Sequence, residues 1–204
     1  MKDRRSQIID AATELICRSG FAQTSVDDVI RQAGLCGKGH FYHHFKSKEE
    51  LGFAVIQRQF DHFAGHGLAI LRDPRVPPLE RLDRFIDAMV DGQEERGCAV
   101  GCPFGTLGAE LSEQNEGLRV ELAQVFERWA SQLDALLYEA RDELIEGTDT
   151  RELAQFIIAT LEGAMLMSRV QRRVTIMRGI AGQLKHYVGS RVRGRAMAAA
   201  RPSA

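Results

Sequence analysis

The chain has 204 residues, 44% of them hydrophobic, with 27 Lys/Arg against 28 Asp/Glu and a formal net charge of −1. That marks an ordinary globular protein with material for one or two compact domains. No run of eighteen apolar residues occurs, and the charged start MKDRRSQ leads into an amphipathic segment, so neither a membrane span nor a signal peptide is supported and a cytoplasmic location is expected.

Four cysteines, at 17, 36, 98 and 102, are too few and too unevenly spaced for a disulfide scaffold, which fits a reducing compartment. The near-zero charge hides an asymmetry. Residues 1–48 hold eight Lys/Arg against five Asp/Glu, whereas residues 49–204 hold nineteen against twenty-three. The basic end points to a polyanion as partner.

In chain order, Ile8, Ile9, Ala12, Leu15 and Ile16 recur at helical spacing and Gly20 follows as a stop, so a first helix is expected over 3–19. Ser25 with Asp28 forms a capping box for a short second helix carrying Val26, Val29 and Ile30, which Ala33-Gly34 ends after about two turns. A tight turn through Leu35 to Gly37 then leads into a short third helix. There Phe41 and Phe45, four apart, face inward while Lys38, His40 and His43 face out. Ser47-Lys48-Glu49-Glu50 is a second capping box, launching a longer helix through Leu51, Val55, Ile56, Phe60 and Phe63.

Pro74, Pro77 and Pro78 interrupt the pattern, and further helices are expected over 79–96, 103–112, 117–146, 150–172 and 174–189. No alternating strand pattern of convincing length occurs, so the fold class is all-α. The Arg-, Ala- and Gly-rich end, with arginines at 191, 193, 195 and 201, reads as a loose solvated tail. The expected division is a three-helix unit over 1–48, a larger helical domain over 49–189, and a flexible tail over 190–204.

A short second helix, a glycine-containing turn and a short third helix with a polar outer face are what a helix-turn-helix requires. The third helix enters a major groove only if its inner face is anchored, here by Phe41 and Phe45 against Val26, Val29 and Leu35. Glycines at 37 and 39 keep side-chain bulk away from an approaching backbone.

Other readings of the same residues are weaker. Gly37-Lys38-Gly39 lacks the spacing and the preceding strand of a phosphate loop. His40, His43 and His44 have a spacing that presents imidazoles to a metal, but no acidic or thiolate fourth ligand stands on the same helix. There is no Glu-x-x-His pair for a di-iron bundle, no G-x-S-x-G elbow and no H-E-x-x-H motif. Neither enzymatic activity nor a cofactor or metal is expected.

Residues 8–51, with TSVDDVIRQAG followed by KGHFYHHFKSKEEL, resemble the N-terminal DNA-binding domain of the TetR family of transcriptional regulators. The resemblance implies a ligand-responsive regulator, most often a repressor, that binds a palindromic operator in double-stranded DNA as a homodimer and is released by a small-molecule effector. Carried over by position, it implies DNA contacts from Thr24, Ser25, Lys38, His40, Tyr42, His43 and Lys48. Tyr42 and Lys48 would hold phosphate, and Lys38, His40 and His43 would meet base edges. Thr24 and Tyr42 stand eighteen positions apart, one more than is usual in the family. The extra residue falls around Leu35-Cys36-Gly37, where Cys36 or Gly37 replaces the usual small hydroxyl cap of the recognition helix.

Phe60, Phe63, Phe85, Met89, Phe104, Phe126 and Trp129 are candidates for an effector pocket between helices, with plain core packing as the alternative for most of them. Leu153, Phe156, Ile157, Thr160, Leu161, Ala164 and Met167 form a broad apolar stripe, and Gly163 permits close helix approach, so the last two long helices are candidates for a dimer face. Buried thiols are the simplest account of Cys98 and Cys102. Residues 97–120 also loosely resemble a GC-containing segment of some family members, which makes Cys102, at an expected helix N-terminus, a candidate electrophile or redox sensor.

Overall fold

The computed structural model of the chain describes residues 3–194. Among the described residues it forms nine α-helices and no strand: α1 (Arg4–Ser19), α2 (Val26–Gln32), α3 (Lys38–His44), α4 (Lys48–Leu71), α5 (Pro78–Glu95), α6 (Pro103–Leu111), α7 (Glu116–Glu139), α8 (Thr150–Gln171) and α9 (Val174–Ser190). They belong to two compact units, Met1–Phe63 with Cys102–Phe126, and Ala64–Gly101 with Glu127–Ala204.

In the first unit, Asp3 caps α1 by accepting the Ser6 N–H at 2.6 Å, and Ile8, Ile9, Ala12 and Ile16 are buried along one face. Gly20, at φ +87°, ends the helix in a conformation that L side chains rarely adopt. The Ser25/Asp28 capping box forms as expected. At the other end of α2, Gly34 sits at φ +63°, the Leu35 N–H reaches the Ile30 carbonyl and the Gly34 N–H the Arg31 carbonyl, a Schellman ending. Ser47 accepts the Glu50 N–H at 3.1 Å to start α4, but the Glu50 carboxylate accepts the N–H of Lys46 at 2.7 Å. Besides α1 to α3, this unit takes in α4 as far as Phe63, all of α6 and α7 as far as Phe126.

In the second unit, Pro77 and Pro78 start α5, and Leu82, Phe85, Ile86 and Val90 are buried along it. The same helix buries Arg81, which donates to the Leu71 carbonyl at 2.9 Å and to Glu139 at 2.5 Å. Gln93 and Ser168, both fully buried, satisfy each other at 3.1 Å. By length and composition α8 is apolar enough to cross a membrane. One face of it packs in the core of the unit, with Leu153, Ala154, Ile157, Leu161, Ala164 and Met165 buried.

Two expectations are corrected. The segment expected as helix over 117–146 leaves the helix after Glu139. Leu136, Ala140 and Leu144 are all buried at i+4 spacing, so the apolar pattern continues although the backbone does not. There the Ile145 N–H is taken by the Arg191 carbonyl at 2.7 Å, and the Arg193 N–H reaches the Glu143 carbonyl at 2.8 Å. This antiparallel bridge, Leu144 opposite Val192, also corrects the expected loose tail: residues 191–193 are held by backbone bonds, and the Arg193 guanidinium donates to the Leu144 carbonyl. Arg195 and Arg201 lie outside the described residues.

Candidate nucleic-acid interface

The third helix is built as an anchored blade. Phe41 and Phe45 are buried with ring centroids 5.9 Å apart, beside the buried Val29 and Ile30 of α2, and the Arg5 guanidinium lies 4.9 Å from the Phe45 ring. Val26 and Leu35, expected to complete that anchor, are half-buried. Gly37 is the N-cap, at φ +155° and without a side-chain cap bond, and Cys36 is exposed beside it. The helix therefore starts at Lys38, with Leu35, Cys36 and Gly37 in the turn before it.

The outward face carries the expected residues. Lys38, His40, Tyr42 and His43 are all exposed, with Lys38 and Tyr42 one turn apart and His40 and His43 on the adjoining ridge. Tyr42 packs edge-on to Phe41 at 5.2 Å, which holds the phenol outward, and the His43 and His44 rings lie 4.9 Å apart. The Lys38 ammonium is 3.2 Å from Asp27 of α2, with both side chains largely exposed. A Cβ on Gly39 would meet nothing within 4 Å. Among the described residues no group of three or more His, Cys, Asp or Glu side chains is placed to hold a metal.

The remaining three expected contacts are differently placed. Thr24 is buried, and its hydroxyl donates to the Gly20 carbonyl at 2.8 Å, so it fixes the turn before α2. The Ser25 hydroxyl is engaged in the cap, donating to Asp28 at 2.6 Å. Lys48 is half-buried, donating to the Ala22 carbonyl at 3.3 Å and lying 4.5 Å from the Phe21 ring centroid. Burial lowers its ammonium pKa from the ordinary value, opposed by the Glu110 carboxylate.

The sequence does not reveal the polar contacts that reach the turn before α2 and the start of α4 from α6 and the loop after it. Glu110 accepts the N–H groups of Phe21 and Ala22, and Asn115 donates to Glu49 at 2.8 Å while capping Leu118. Glu110 and Asn115 stand 66 to 89 residues from Phe21, Ala22 and Glu49, beyond any local pattern.

The aromatic candidates for an effector pocket separate into two groups. Phe104 lies 6.4 Å from Phe60 and 6.2 Å from Phe63 in the first unit, whereas Phe85 meets Trp129 edge-on at 6.4 Å in the second. Phe60, Phe85, Phe104 and Trp129 are buried, and Phe126 and Met89 are half-buried. A cleft of about 540 Å³ in the first unit is lined by Arg5, Glu50, Gln57, Arg58, Asp61 and Glu121 among others, and none of the aromatic candidates borders it. Cys102 is the N-cap residue of α6, and neither it nor Cys98 is in a disulfide.

Residues 8–55 match the family model described as bacterial regulatory proteins, tetR family, and residues 78–183 match that of the transcriptional regulator LmrA/YxaF-like C-terminal domain. The HTH-type transcriptional repressor DhaR of a Mycobacterium species is 30% identical over 82% of this chain and 83% of its own. A crystal structure of a TetR transcriptional regulator from Chloroflexus aurantiacus superposes with a TM-score of 0.83 at 27% identity, covering 93% of this chain and 96% of that one. The reduced form of NemR from E. coli shares the fold, with a TM-score of 0.81 at 21% identity over 95% of this chain and all of its own. An anchored three-helix reader at the N-terminus, followed by a C-terminal domain that a family-specific model matches, places the chain in the TetR family of transcriptional regulators.

Proposed function

We propose that the chain is a cytoplasmic repressor that binds a palindromic operator as a homodimer and is released by a small, apolar effector. The observation that carries the reading is α3: a seven-residue helix with Phe41 buried on one side and Lys38, His40, Tyr42 and His43 exposed on the other. Lys38, His40 and His43 face base edges and Tyr42 holds phosphate, while Lys48 backs this surface through the Ala22 carbonyl. Thr24 and Ser25 support the contact by fixing the start of α2. A similar regulator, DhaR, is named a repressor, which favours repression over activation.

Dimerisation is supported by an apolar stripe that the second unit leaves uncovered. Phe156, Met167 and Val170 of α8 are exposed, as are Leu166 and Tyr187, and the Phe156 and Tyr187 rings meet at 4.9 Å. A homodimer joined there would read a palindromic operator whose half-sites lie in successive major grooves about 34–36 Å apart. An effector that favours another separation lowers affinity, because both half-sites are no longer engaged together.

The test is selection of bound duplexes from a random pool, followed by anisotropy across a salt series. A palindrome with about 10–10.5 base pairs between half-site centres is expected, with affinity falling steeply as salt rises. Binding that prefers no sequence rejects the reading. A second reading, thiol sensing, rests on the placement of Cys102 at the N-terminus of α6, where the helix dipole favours a thiolate. If Cys102→Ser leaves release by electrophiles unchanged, that reading is wrong.

A further inference from the structure

The turn between α1 and α2 is held from a distance by one carboxylate. Glu110, in the last turn of α6, accepts the Phe21 N–H at 2.8 Å with one oxygen and the Ala22 N–H at 2.5 Å with the other. Two convergent backbone donors on an ionised carboxylate are a strong, directional contact, because each bond is charge-assisted. The approach is close enough to dictate the neighbouring residue. A Cβ on Gly20 would lie 2.9 Å from Glu110 Oε2 and 3.3 Å from Oε1, and the backbone there has φ +87°.

The clamped turn is itself the foundation of the DNA-reading surface. Thr24 ties the far end of the turn back to Gly20, Ser25 then caps α2, and α2 carries the buried Val29 and Ile30 beside Phe41. Lys48, at the start of α4, closes the same turn from the other side by donating to the Ala22 carbonyl. Without Glu110 the turn keeps its local bonds but loses its tie to α6.

We infer that Glu110 is the positioning residue that sets the pose of the helix-turn-helix on α6. The inference rests on the DNA-binding reading above. Its consequence is specific: Glu110 touches no DNA, yet it governs how well the recognition helix seats in its operator.

The experiment uses the full chain and the operator selected by the wild type. Glu110→Gln keeps the size of the side chain but turns an amide N–H₂ toward one of the two backbone donors. It is expected to weaken operator binding about tenfold, within the usual range of coupling between distant sites, while affinity for a scrambled duplex stays the same. Amide exchange at Phe21 and Ala22 is expected to rise. Gly20→Ala should weaken operator binding in the wild type, and by a smaller factor in a Glu110→Ala background, because the oxygen its methyl would strike is gone.

Unchanged operator affinity in Glu110→Gln, equal losses on operator and scrambled DNA, or additive effects of Gly20→Ala and Glu110→Ala would each overturn the inference while leaving the DNA-binding reading intact. A wild type that selects no sequence removes both.

Discussion

Ser25 and Asp28 are joined by three hydrogen bonds: the Asp28 N–H to the Ser25 hydroxyl at 3.1 Å, the Ser25 N–H to the Asp28 carboxylate at 3.1 Å, and the hydroxyl to that carboxylate at 2.6 Å. The hydroxyl first, then the backbone N–H and Arg31, hold the Asp28 carboxyl below its ordinary 3.8. A carboxyl that binds its proton less readily when folded contributes stability above the unfolded value, and that contribution fades as pH falls from about 4 through the lower folded value. Loss of the helix cap in Ser25→Ala is expected to cost about 1 kcal/mol at neutral pH. The gap between variant and wild type should narrow below pH 4 in acid unfolding curves, and a gap that stays constant down to pH 2 would refute the assignment. At Lys38 the question is charge. Its ammonium is tied only loosely, to an exposed Asp27, so on DNA it is free to exchange that partner for the polyanion. If it does so at a phosphate, Lys38→Ala reduces the salt slope of binding by about one; if it reads a base edge instead, specificity relaxes at one position of the operator. Measurement of both quantities separates the two roles.

In α3 the sequence was legible because the constraint is local. Phe41 and Phe45 stand one helical turn apart, and that spacing alone indicates the buried face. Legibility fails where a distant partner decides. Nothing in the sequence near Glu139 says that the helix stops there, because Leu144 keeps the apolar rhythm and the backbone bonds that replace the helix come from residues 191 and 193. The cap made by Ser25 was legible because Asp28 stands three residues on, whereas the scaffold roles of Thr24 and Lys48 were not, since their partners are the Gly20 and Ala22 carbonyls of a turn that only the folded chain assembles. Two variants test the division of α3 into an anchor and a reading face. Phe41→Ala removes a fully buried ring and is expected to cost about 3–5 kcal/mol in denaturant unfolding, with DNA binding lost through unfolding. Gly39→Ala adds a methyl that meets nothing within the chain. It is expected to stabilise the protein by up to about 1 kcal/mol, because alanine favours a helix over glycine, yet to weaken operator binding as the methyl enters the space of the approaching DNA. A stabilised variant with unchanged affinity would show that the backbone of α3 does not come close to the groove.

For the molecule as a regulator, the decisive feature is the division of α8 between two kinds of apolar residue. Leu153, Ile157, Leu161 and Ala164, all expected on a dimer face, are buried within the chain's own bundle, whereas Phe156 and Met167 of the same expected stripe are exposed. The uncovered seam runs Phe156, Thr160, Gly163, Met167 and Val170, spaced four, three, four and three, the spacing that aligns one helix against a second of its kind. Exposed Gly163 lies at its centre, where a bare backbone allows the closest approach. Under the proposed homodimer, palindromic recognition rests on this seam, because two linked readers bind together far more tightly than one, by a factor on the order of 10²–10⁴. Met167→Glu with Val170→Glu would place four carboxylates in the joined seam while leaving each chain's own core untouched. The pair is expected to yield a monomer in sedimentation, with helix content and melting behaviour preserved, and to weaken binding to the full palindrome by about 100-fold while binding to a half-site duplex stays the same. A dimer that survives both carboxylates would move the interface elsewhere. Equal losses on the palindrome and the half-site would show that the substitutions act on the reading domain and not on the pairing of two copies.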